Sequence, residues 1–157
     1  MNLYALILTG LILANSASNT LAAETERPIV ARYSKVYRGG EGLTLSVLPI
    51  GKSEDEEYLL QYSGINHDWN WKIFKAKRVR SGTGFDYVIK HNGSDYATMI
   101  ERDVSASPRR QIFVPQIADG ASVVYDESLS ERALPEHFLT DYLEQEKGEP
   151  VRGAAWR

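Results

Sequence analysis

The sequence predicts a mainly β fold: an antiparallel meander of about seven to eight strands, arranged as a sandwich or half-closed barrel, with one C-terminal α-helix. Three observations predict it. Short runs rich in Val, Ile, Tyr, Phe and Trp recur at near-regular spacing, and such residues fit a pleated, half-buried surface. Clusters of Gly, Asn, Asp, Ser and Pro separate the runs. Beyond Ser128 the apolar period changes from two to that of a helix.

The elements follow in order. Residues 29–37 alternate loosely and end at Arg38-Gly39-Gly40-Glu41-Gly42. In 43–48, Leu43, Leu45 and Val47 share one face, with Thr44 and Ser46 opposite. Pro49 and Gly51 are expected to end this run, and the charged stretch 52–57 to form a loop. Tyr58, Leu60 and Tyr62 then line one side of 58–63. Residues 69–79 change phase: Trp69, Trp71 and Ile73 share a face, but Phe74 and Ala76 fall on the other. A β-bulge near Ile73-Phe74 would reconcile them. Gly82-Thr83-Gly84 turns the chain into a run where Phe85, Tyr87 and Ile89 align. Asn92-Gly93 joins it to 95–101, where Tyr96, Thr98 and Ile100 align. Asn-Gly between alternating runs marks a type I′ hairpin, whose two central residues need positive φ. Residues 105–110, with Pro108, read as a loop, and 111–114 and 122–125 as short strands around Asp119-Gly120. A helix is expected at about 134–146, with Pro135 in its first turn and Phe138, Leu139, Tyr142 and Leu143 forming an apolar stripe.

The chain opens differently. Residues 1–23 carry no charged side chain, and an apolar core of about eleven residues is too short to span a bilayer. Small residues follow it before Glu24. This is the pattern of a secretory signal peptide cleaved near Ala22 or Ala23, although no Lys or Arg precedes the apolar core. Residues 24–147 are expected to form one domain, 24–28 a mobile leader, and 148–157 a flexible tail. The 157 residues contain no cysteine, which removes disulfides, thiol nucleophiles and cysteine metal sites. An exported chain without cysteine points to a bacterial periplasm. The net charge of −3 argues against nucleic-acid binding, and no membrane span is expected in the mature chain.

Catalytic patterns are missing from the sequence. His67, His91 and His137 lack ligand spacing, so no metal or other cofactor is expected. The four contiguous acids Glu54 to Glu57 do not follow the alternating pattern of a calcium loop. Two features do invite contact. Lys72, Lys75, Lys77, Arg78 and Arg80 form a basic run. Beside it, His67, Asp68, Trp69 and Trp71 place aromatic and polar side chains together, as binding anchors often do. The expectation is a small exported protein, not an enzyme, that binds another envelope protein, as an inhibitor or immunity partner of a cell-wall hydrolase would. His67, Asp68, Trp69, Trp71, Lys72, Lys75, Lys77 and Arg78 are the candidate contacts. The alternative is a carrier of a small ligand or lipid. Its cavity, between curved sheet and helix, would be lined by Tyr58, Tyr62, Phe85 and Tyr87.

Overall fold

A computed structural model describes residues 27–104, 107–117 and 119–148. The expected export segment and residues 149–157 of the expected tail lie outside the described residues.

Eight strands run in sequence: β1 Lys35–Arg38, β2 Thr44–Ile50, β3 Glu57–Ser63, β4 Ile73–Ser81, β5 Gly84–His91, β6 Ser94–Val104, β7 Ser107–Ile112 and β8 Ala121–Tyr125. Each pairs antiparallel with the next, and β8 returns to β1, so the meander closes into a barrel. Closure is complete rather than partial, and the arrangement is a barrel, not a sandwich. Inward positions follow the period of two. Leu45 and Val47 of β2, Leu60 and Tyr62 of β3, and Tyr87 and Ile89 of β5 all enter one buried core.

The turns obey local chemistry. Asn92 and Gly93 carry φ of 49° and 78°, the positive pair a type I′ hairpin requires. Gly84 is needed for another reason: a Cβ there would lie 1.9 Å from the Glu101 carbonyl oxygen. Strands β5 and β6 can approach this closely only with hydrogen at that position.

Several expectations are corrected. The strand after Tyr62 begins at Ile73, not Trp69, and pairs with β3 without interruption from Gln61↔Ile73 to Glu57↔Lys77. The phase change therefore comes from a turn, where Trp71 has φ of 66°, and no bulge is needed at Ile73-Phe74. The bulge lies instead opposite Tyr87 and Val88, where Thr98 is the extra residue of β6. It turns Met99 into the core, so Tyr96, Thr98 and Ile100 do not share a face. Thr98 is nonetheless buried: it bonds the Tyr62 hydroxyl at 2.6 Å and donates to the Phe113 carbonyl at 2.9 Å. Pro49 lies inside β2, not at its end. Pro108, expected in a loop, lies in β7 opposite Asp103. The β7–β8 ladder covers only Arg110, Gln111 and Ile112, so Pro108 faces no ladder on that side.

Two helices follow the strands. Helix α1, Glu127–Glu131, was not legible in the sequence. The Asp126 carboxylate caps it by accepting from the Leu129 N–H at 2.9 Å. Helix α2, Pro135–Glu146, has proline at its first position, as expected. Phe138 and Leu139 pack outside the barrel on Leu48, Ile50, Leu59 and Ile73, forming a second core. Each such burial contributes about 1.5–3 kcal/mol. Near its C-terminal end, the Gln145 side chain accepts from the Ile73 N–H at 2.9 Å and donates to the Ile73 carbonyl at 2.7 Å. Arg27, expected in a mobile leader, pairs with Glu136 and donates to Thr140, both at 3.0 Å.

Candidate functional site

The contact candidates of the sequence separate into an inner and an outer set, because alternate residues of a strand face opposite sides. Within β4, Phe74, Ala76 and Arg78 point inward, whereas Ile73, Lys75 and Lys77 point outward. Lys75 pairs with Glu57 at 2.8 Å. Arg78 instead makes a two-pronged contact with Glu56, at 2.5 and 2.9 Å. Its guanidinium also lies 4.3 Å from the Phe85 ring centroid and 5.4 Å from that of Tyr58. The hydrogen bonds from Arg78 hold the Glu56 carboxyl below the usual carboxylate range.

Trp69 belongs to the inner set. It is 4% exposed and meets Phe74 at 4.6 Å, His91 at 5.2 Å and Tyr62, Tyr96 and His67 at 5.8 Å between ring centroids. The indole plugs one end of the barrel. His67 is half-buried and takes part in the turn: its Nδ1 accepts from the Trp69 N–H at 3.1 Å. Asp68 is exposed beside it.

The four pocket candidates are also inside. Tyr62 is fully buried against Trp69 and Phe74. Tyr58 and Tyr87 meet edge to face at 5.1 Å, and Phe85 packs against the same core. Burial raises the pKa of the Tyr62 and Tyr87 phenols, and the charge of Glu101 raises Tyr87 further. Glu101 in turn pairs with Arg110 at 2.5 Å, and Arg110 lies 5.0 Å from the Tyr37 ring centroid. These groups fill space and satisfy one another.

The outer set is different. Trp71 is 37% exposed and has a left-handed backbone, which is rare for a bulky side chain and costs about 1–3 kcal/mol. Its N–H donates to the Tyr62 carbonyl at 2.7 Å, and its own carbonyl accepts from Gln61 Nε2 at 3.0 Å. These bonds hold the strained residue and present its indole outward. Lys72 follows directly and lines a groove of about 640 Å³ between β4, β5 and α2. Lys75, Lys77, Lys90, Val79, Val88 and Tyr142 border the same groove. Lys90, Val88 and Tyr142 were missed in the sequence. Lys90 was discoverable, because the Gly82-Thr83-Gly84 turn joins β4 to β5 with Lys77 opposite Val88, and Lys90, two residues beyond Val88, shares its face.

Among the described residues, no group of three His, Asp or Glu side chains is placed to hold a metal ion. No helix among them is long and apolar enough to cross a membrane. Comparison of the chain with protein-family models, curated proteins and solved structures finds no match.

Proposed function

We propose that this chain is an exported protein that binds another protein of the cell envelope through its outer β4 face. Trp71, Lys72, Lys75 and Lys77 would be its contacts. Inhibition of, or immunity to, a cell-wall hydrolase is the role that fits a small domain of this kind. The observation that carries the reading is Trp71, an exposed indole held in a strained left-handed conformation by two backbone-directed hydrogen bonds. Strain of this kind persists where the surrounding structure enforces it, and an exposed Trp beside cations is a frequent interface anchor. The carrier alternative has less support, because Tyr58, Tyr62, Phe85 and Tyr87 pack on one another and on the core.

Affinity capture from an envelope extract tests the reading. The full-length mature protein should retain a specific protein that Trp71→Ala loses, with unchanged far-ultraviolet circular dichroism for the variant. Equal capture by both proteins would remove Trp71 from the interface and this reading with it.

A further inference from the structure

The groove beside β4 has a chemistry that narrows what the partner offers. Its apolar surface comes from Val79, Val88 and the Tyr142 ring, and four lysines surround it. Three carboxylates border it as well. Glu57 is engaged by Lys75 at 2.8 Å and Asp95 by Lys90 at 2.6 Å, and Glu146 raises the pKa of the neighbouring Tyr142 phenol, after burial. Lys72 and Lys77 form no ion pair among the described residues. The Lys90–Asp95 pair is largely exposed and the Lys75–Glu57 pair partly so, and exposed pairs contribute only about 0–1 kcal/mol, so an incoming carboxylate can displace them. A net-acidic protein thus presents a locally basic, partly apolar trough.

We propose that this groove receives an extended segment of the partner protein with carboxylates at two alternating positions and an apolar side chain at the next position on the same face. The inference rests on the partner reading above. Lys75 and Lys77 stand two residues apart on one face of a strand, about 6.7 Å. Acidic side chains at alternate positions of an extended peptide repeat at the same distance, so the charges meet in register along β4. A side chain two positions beyond the acidic pair faces the same way, so an apolar residue there can settle on Val79, beside Val88, and Trp71 adjoins Lys72 in the chain. Recognition runs through side chains. In the closed barrel both neighbours of β4 and of β5 are already paired, leaving no strand edge here for a peptide to extend.

The test uses the intact protein and fluorescein-labelled Glu-Ser-Glu-Ser-Val, followed by fluorescence polarisation. Lys-Ser-Lys-Ser-Val and vesicles of anionic phospholipid serve as comparison probes. The acidic peptide should bind and the basic one should not. Affinity should fall as salt rises past about 0.1 M. The double variant Lys72→Glu/Lys77→Glu should bind about tenfold more weakly or worse, with an unchanged fold, since both side chains are exposed. Absence of acidic-peptide binding, or equal binding by the charge-reversed variant, overturns the proposal. So does binding of vesicles in place of the peptide, which would make a lipid headgroup the occupant. The two readings fail separately. Capture through Trp71 that the acidic peptide cannot compete overturns the groove inference alone. Peptide binding without Trp71-dependent capture overturns the partner reading of Trp71 and leaves an acidic-peptide groove.

Discussion

Trp71 reverses an ordinary rule of substitution. Elsewhere in a folded chain, glycine costs stability relative to alanine because it has more backbone freedom to lose. At φ of 66° the order should invert, since alanine retains the Cβ that crowds the left-handed conformation. Trp71→Gly is expected to be more stable than Trp71→Ala by about 1 kcal/mol, read as a difference in denaturant midpoints at constant slope. Equal midpoints would mean that the turn relaxes out of its left-handed geometry. The neighbouring Trp69 has the opposite role, with its surface spent in the core. Two residues apart in an aromatic segment, the two tryptophans look equivalent in the sequence. Only the turn between Tyr62 and Ile73 separates the anchor from the plug.

At the scale of elements, α1 acts as a clasp. Strand β1 has only two Cα pairs with β8, Tyr37↔Tyr125 and Arg38↔Val124. Helix α1 and its cap continue the contact where β8 stops. The Asp126 N–H donates to the Val36 carbonyl at 2.9 Å, and the Val36 N–H donates to Ser130 Oγ at 2.8 Å in a buried setting. Arg38 pairs with the Asp126 carboxylate at 3.0 Å. Ser130→Ala would leave a buried N–H without its acceptor, at a cost of about 1–3 kcal/mol. Thermal denaturation should register that loss, and hydrogen exchange should show it concentrated in β1. Protection of the Val36 amide equal to wild type would show that the clasp is dispensable.

Much of this element structure was readable in advance. The inward faces of β2 and β3, the Asn92-Gly93 hairpin and the stripe of α2 each follow from a local period or a local turn rule. What was not readable depends on partners distant in sequence. Pro108 is tolerated because β8 leaves that part of β7 unladdered. Thr98 becomes a bulge because Tyr62 and Phe113 give its hydroxyl partners inside the core. The candidate site was half legible: the basic run was visible, but Arg78 leaves it for Glu56 while Lys90 joins it from another strand.

For the molecule as a whole, the barrel concentrates tyrosine in dry surroundings. Six of the nine tyrosines have raised phenol pKa values, with burial as the largest cause in each: Tyr37, Tyr58, Tyr62, Tyr87 and Tyr96 of the barrel, and Tyr142 of α2. Their ordinary value is 10.0, and folding lifts it, so the neutral form is favoured in the barrel. The associated stability is complete below pH 10.0 and is lost as pH rises toward the folded-state values, because the unfolded chain ionises first. Alkaline titration at 295 nm should therefore show phenolate appearing in two stages: exposed tyrosines gradually, then the buried set together as circular dichroism collapses. A single gradual titration with the fold intact would show that water reaches the barrel interior.

The seam between β1 and β8 also governs how the molecule is made. It joins Tyr37 to Tyr125, positions 88 residues apart, whereas the other strand pairs connect consecutive elements. Neighbouring hairpins can form as soon as their own residues are free, but the ring waits for its last strand. Loop-closure cost rises slowly with length, and distant pairing slows folding. Until β8 arrives, β1 and the latest strand are both bare edges, open to pairing with another chain. A barrel closed by its two ends is thus most exposed to misassembly just before it is finished, and α1, the next element along the chain, is placed to lock that final step.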